Sequence, residues 1–157
     1  MSAKTLVFIL AACLLYGCKK EPAAETPWQQ QMLEQVNQLR QSGCRCGADA
    51  MPPVLPLRWN DTLAAAADMH VKDMYERQYF DHISPDGVSP IQRAIQAGYS
   101  GEYIGENIAK GYTNVSEVVQ AWKNSESHCR AMMDSFYQEM GAATTHQYWA
   151  QEFGKPR

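Results

Sequence analysis

Three short segments each set one ionisable side chain among bulky apolar residues: Tyr79-Phe80-Asp81-His82-Ile83, Gly105-Glu106-Asn107-Ile108-Ala109, and Trp122-Lys123-Asn124-Ser125-Glu126-Ser127-His128-Cys129. A titratable group is costly to bury unless it finds a partner. The chain must therefore fold so that His82, Glu106 and His128 are satisfied, and convergence on one site answers all three together.

The N-terminus carries an address rather than a fold. Lys4 is a positive flank, residues 6–15 are a short apolar run, and Gly17 precedes Cys18. The run is too short to span a bilayer and has the form of a secretory signal. A cysteine after a small residue resembles the lipobox of bacterial lipoproteins, in which Cys18 becomes the lipid-modified first residue; ordinary cleavage with a free Cys18 is the alternative. Lipidation makes the membrane a partner without a span. Lys19 after that cysteine resembles outer-membrane sorting if the organism is Gram-negative. Residues 1–17 are thus assigned as signal peptide, 18–27 as a Pro- and Ala-rich tether, and 28–157 as one domain long enough to bury a core. The net charge of -3, with no basic run beyond Lys19-Lys20, excludes nucleic acid as a natural partner.

Export governs the reading of the cysteines. Cys13 leaves with the signal and Cys18 takes the lipid, so Cys44, Cys46 and Cys129 remain. An odd number permits one intrachain disulfide and a spare thiol. Cys44 and Cys46 are too close in sequence to bridge each other easily, so Cys129 takes one of them. A bridge from Cys46 closes a loop of 83 residues, worth roughly 4 kcal/mol by chain entropy. The other arrangement, a zinc site of three thiols with His128, is disfavoured by export.

Helical spacing of Trp28, Met32, Val36 and Leu39 predicts a first helix to about Gln41, with Ser42-Gly43 breaking it and residues 47–56 forming a Pro-rich loop. Asn60 caps a helix whose inward stripe is Leu63, Ala66, Ala67, His70 and Met74; on that stripe His70 reads as a core histidine bonded to a neighbour. Ser89-Pro90 opens a third helix, ended by Gly98. Residues 103–109 read as a strand on which Ile104, Glu106 and Ile108 share a face, so Glu106 needs a cation, a metal or several donors. Asn114 and Glu117 form a capping-box variant before a stripe of Val115, Val118, Val119, Trp122 and Ser125. Residues 140–145 and 147–153 read as a terminal hairpin. This mixture implies an α+β layered domain.

At these residues the chain resembles the CAP superfamily of cysteine-rich secretory proteins, antigen five and pathogenesis-related proteins, and within it the bacterial secreted branch. The resemblance spans residues 32–153 through Leu57-Arg58-Trp59-Asn60, the helix with His70 and Met74, Phe80-Asp81-His82, Gly105-Glu106-Asn107-Ile108-Ala109, Trp122 to Cys129, and Tyr148-Trp149 with Phe153-Gly154. It implies a three-layer α-β-α sandwich with a central antiparallel sheet and an open cleft. Eukaryotic members line that cleft with two histidines and two glutamates that hold a divalent metal. By position His82, Glu106 and His128 match three of these, and Ser125 stands where the second glutamate belongs. The resemblance also implies pairing of Cys46 with Cys129, leaving Cys44 free.

Function is open between classes at this level. His82 and His128 are candidate zinc or other divalent-metal ligands, with Glu106 orienting from behind. Ser125 and His128, one helical turn apart, permit a serine-type hydrolase, and a metal would permit assisted cleavage of a peptide or wall component, but no nucleophile elbow surrounds Ser125. The same residues beside Tyr79, Phe80, Trp122 and Tyr103 suit binding of a lipid, a peptidoglycan fragment or a protein. The favoured expectation is a lipid-anchored extracytoplasmic CAP-domain protein acting as a non-catalytic binding or interaction module. A structural envelope protein, in which the His-Glu network serves the fold alone, is the third option.

Overall fold

Pro27 opens helix α1 (Pro27–Ser42), whose buried stripe is Met32, Val36 and Arg40. The expected tether therefore ends one residue earlier, since Pro27 already belongs to the helix. The computed structural model describes residues 27–157, so the signal peptide, the rest of the tether and Cys18 lie outside the described residues. Arg40 is wholly buried because its guanidinium donates to the carbonyls of Leu55, Met132, Asp134 and Tyr137. It thereby ties the end of α1 to two distant loops. Burial lowers its pKa to about 10, against the opposing charge of Asp134.

After α1 the chain makes a small antiparallel ribbon, β1 (Cys44–Cys46) and β2 (Asp49–Met51). This corrects the expectation of a Pro-rich loop over residues 47–56, since Asp49–Met51 is a strand. The two-residue strand β3 (Arg58–Trp59) leads to Asn60, whose side chain accepts from the backbone of Thr62 and Leu63 and caps α2 (Asp61–Glu76). The expected stripe of Leu63, Ala66, Ala67, His70 and Met74 is buried, joined by Val71. Ser89 and Gln92 close a full capping box at α3 (Pro90–Gln96). Strand β4 (Glu102–Lys110) follows, then α4 (Val115–Asn124) and α5 (Glu126–Met133), and finally the hairpin β5 (Glu139–Thr145) and β6 (Tyr148–Lys155). At α4 the reach of Glu117 differs slightly from a capping box: its carboxylate accepts from the backbone of Thr113 rather than of Asn114.

The main sheet runs β3-β5-β6-β4. Its three long strands are antiparallel, and only the short β3 joins in parallel. Alternation along β6 distributes the core between two faces. Tyr148 and Ala150 pack with Ala67, Val71 and Met74 of α2, while Trp149 and Phe153 pack with Met32, Val36, Val118 and Trp122 of α1 and α4. Helices thus cover both faces, and the fold is the three-layer α-β-α sandwich, α+β in class. Gly141 sets the spacing on the α2 side, because a Cβ there would run into the backbone nitrogen of Ala64. Strand β4 is left at the edge of the sheet, and the site is built along it.

Candidate functional site: a buried carboxylate pair behind two histidines

Successive residues of a strand point to opposite faces, and on β4 this is what organises the site. Glu106 points toward the α2 layer and Asn107 toward the α5 layer. Glu106 is sealed, with a side chain only 1% exposed. Its Oε2 accepts from an Arg93 guanidinium nitrogen at 2.6 Å, and its Oε1 lies 2.6 Å from His82 Nδ1. Arg93 is the cation that the isoleucine-flanked carboxylate required. It also donates to the carbonyls of His82 and Val88, so one buried arginine fixes both the carboxylate and the loop that carries His82.

Behind this pair stands a second carboxyl group. Glu152 of β6 is the direct cross-strand neighbour of Glu106 and is wholly buried. Neither of its carboxyl oxygens has a well-formed hydrogen bond among the described residues. Burial, and then the charge of Glu106, push its pKa well up and favour the neutral acid. For Glu106 burial acts upward too, but His82, Glu152, His70 and Arg93 outweigh it and hold its carboxyl below the usual value.

The histidines differ in state. The hydrogen bond that His82 donates to Glu106 raises the pKa of His82, whose side chain is 47% exposed. Burial, and then the charge of His82, lower His128. His70 is buried, 3.7 Å from Glu106 Oε2 and 3.4 Å from the Tyr79 hydroxyl; burial lowers its pKa and keeps it a neutral packing residue. On the other face of β4, Asn107 Nδ2 donates to the carbonyl of His128 at 3.2 Å. Adjacent residues of one edge strand therefore tie the His82 loop and α5 to its two sides, and the charge of His82 reaches the His128 imidazole.

Ser125 is not inside a helix. It is the residue between α4 and α5, with φ -95° and ψ 122°, so the expected continuous stripe through Ser125 breaks there. Its hydroxyl makes no capping bond. Trp122, on the expected inward stripe of α4, is 1% exposed and donates to the carbonyl of Ile108; it belongs to the core. The Tyr79 hydroxyl donates to Asp73 at 2.5 Å, and the Tyr103 side chain lies outside the described residues. Phe80 and Ile83 remain exposed on the His82 loop.

The structure joins Cys46 to Cys129, and Cys44 keeps its thiol. A three-thiolate zinc site with His128 is not what these sulfurs form. Among the described residues, the one group of three metal-ligating side chains with donor atoms within 4.8 Å of one another is Cys44, Cys46 and Cys129; His82, Glu106 and His128 form no such three-donor group.

A three-layer sandwich with two histidines and a buried glutamate at its edge defines an SCP-type domain, and residues 33–153 match the model of CAP, the cysteine-rich secretory protein family. The chain belongs to that family. It is 31% identical over 134 residues to the uncharacterized protein YkwD of Bacillus subtilis (strain 168), an alignment covering 84% of this chain and 49% of the relative. Among solved structures it is similar to an extracellular protein containing a SCP domain from Bacillus anthracis (TM-score 0.72, 25% identity, covering 81% of this chain and 40% of the other). It is also similar in fold to an outer surface protein from Borrelia burgdorferi (TM-score 0.69, 24% identity, covering 82% and 92%). The chain thus spans about half the length of this curated relative. No described helix is long and apolar enough to cross a membrane.

Proposed function

We propose that this protein is an extracytoplasmic CAP module, anchored to a membrane through lipidated Cys18, that binds a ligand or partner at the β4 edge without catalysing its conversion. The carrying observation is that the site's carboxylate is already engaged. Both oxygens of Glu106 are taken, by Arg93 and His82, inside a nearly sealed pocket. What faces outward is a pair of half-exposed imidazoles flanked by Phe80 and Ile83, a polar centre with an apolar rim suited to an amphipathic ligand. A lipid, a peptidoglycan fragment and a protein segment all have that character. The similar structures include an extracellular protein and an outer surface protein, which agrees with an exported site.

The residues present fit a weakly held divalent ion. His128 is neutral and has a lone pair to give, while His82 offers Nε2, because Nδ1 is committed to Glu106. Two donors fall short of the three usual for a catalytic zinc. A bound ion would supply an electrophile for a ligand oxygen, and raised protonation of His82 would compete with it.

Calorimetric zinc titration of the detergent-solubilised full chain, beside a His82→Ala/His128→Ala variant, tests the cleft. Micromolar binding lost in the variant makes it a metal site; equal weak binding leaves the imidazoles to organic ligands. Turnover of a peptide or wall fragment that disappears in His128→Ala would replace the binding module with the hydrolase.

A further inference from the structure

On the far side of α5 from the His82 loop lies a cluster that the cleft does not use. Cys44 and Cys46 are two apart on β1, so their side chains leave the ribbon on the same face, and that face rests on Cys129 of α5. The Cys44 sulfur is 3.7 Å from the Cys129 sulfur and 3.8 Å from the Cys46 sulfur, in van der Waals contact with both atoms of an existing disulfide. Cys46, Cys129 and Met133 are buried, and Cys44 packs against them half-buried. Cys44 also lines a groove of about 800 Å³ between α1, β1 and α4, with Gln38, Leu39, Val119 and Lys123 around it. The free thiol is therefore reachable from solvent and touches a disulfide at once.

We infer that Cys44, Cys46 and Cys129 form a thiol–disulfide exchange site in which Cys44 and Cys46 are interchangeable partners for Cys129. The Cys44 thiolate forms a bond to Cys129 Sγ, the Cys46–Cys129 bond breaks, and Cys46 leaves as a thiolate that takes up the proton Cys44 gave away. No electrons enter or leave, so no outside oxidant is required. Exchange changes the sequence separation of the bridged pair from 83 to 85 residues, a difference that loop-closure entropy barely registers. Nearly equal distances to both sulfurs place the thiol broadside to the bond, so a side-chain rotation must bring it into line first. Burial raises the Cys44 thiol and Lys123 opposes that rise, which sets how much thiolate is present to attack.

The sequence supplies its own assay, because Arg45 lies between the two cysteines and trypsin separates them. The full chain is incubated with a trace of reduced glutathione, quenched with iodoacetamide under denaturing conditions, digested and mapped by mass spectrometry. Exchange predicts two cross-linked species, Cys46–Cys129 with alkylated Cys44 and Cys44–Cys129 with alkylated Cys46. Cys46–Cys129 alone after prolonged incubation overturns it. In a second arm, Cys46→Ser incubated with oxidised glutathione as the two-electron acceptor should carry a Cys44–Cys129 bridge; a folded Cys46→Ser chain with both thiols free after that treatment also overturns the proposal. Should Cys46→Ser fail to fold, the wild-type map still decides.

Discussion

Glu152 is the residue most out of keeping with its surroundings: a carboxyl group with no exposure, opposite another carboxylate in the centre of a sheet. Its folded pKa stands above its unfolded value of about 4.5, so the native state keeps a proton that the unfolded chain has released. Stability from this source is full below the unfolded pKa and is lost as pH rises through the folded one, at up to about 1.4 kcal/mol per pH unit. Glu152→Gln keeps the shape and has no proton to lose. In urea melts it should match the wild type near pH 4 and exceed it above pH 7; parallel pH profiles would mean that Glu152 is ionised in the native state. The sequence announced Glu106 through its two isoleucines but not its partners. Arg93 sits in a helix whose Ile91 and Ile95 are 50% and 63% exposed, so the apolar residues point outward and the arginine inward, against the usual pattern. Glu152 escaped because β6 is buried on both faces, which removes the alternation that would have marked an internal charge.

Elements that carry their own punctuation were legible: Asn60 before α2, Ser89-Pro90 before α3, Asn114 before α4, and the terminal hairpin. Those fixed by tertiary contact were not. The ribbon of β1 and β2 is three residues a side and is held by its packing on α5, including an ion pair between Asp49 and Arg130. The break at Ser125 has no glycine or proline to signal it. Contact of this kind also sets the distance between α2 and β5, through Gly141. Its φ is not in the left-handed region, so alanine is conformationally free there, and the penalty is steric alone. Gly141→Ala should cost about 1–3 kcal/mol or more, read as a lower urea midpoint at unchanged slope, because the atom it meets is backbone. A variant as stable as wild type would show that α2 can move off β5 at no cost.

Across the whole molecule, the layers on the two faces are joined through the sheet, and the α5 layer is further joined to the N-terminal half by one covalent bond. The Cys46–Cys129 bridge spans 83 residues, which on chain entropy contributes about 4.5 kcal/mol and in practice about 2–4. That bond gathers β1, the end of α1 and α5 around Met133, behind the segment that presents His128. Resemblance selected this pairing, while the residues alone left Cys44 and Cys46 equivalent, and the structure gives that ambiguity a physical basis in two sulfurs sharing one face of a strand. The three single-cysteine variants should consequently rank in an unusual order. Cys129→Ser removes the only partner on α5 and should lose about 2–4 kcal/mol. Cys44→Ser should stay within about 1 kcal/mol of wild type, because it deletes a half-buried thiol and leaves the bridge intact. Cys46→Ser, although it removes a bridged and fully buried sulfur, should lie close to Cys44→Ser under oxidising conditions and fall to the Cys129→Ser value once reductant is added. Urea melts of the three chains with and without dithiothreitol read this directly. If Cys46→Ser groups with Cys129→Ser in both conditions, Cys44 does not reach across, and the bridge depends on a single pair of sulfurs.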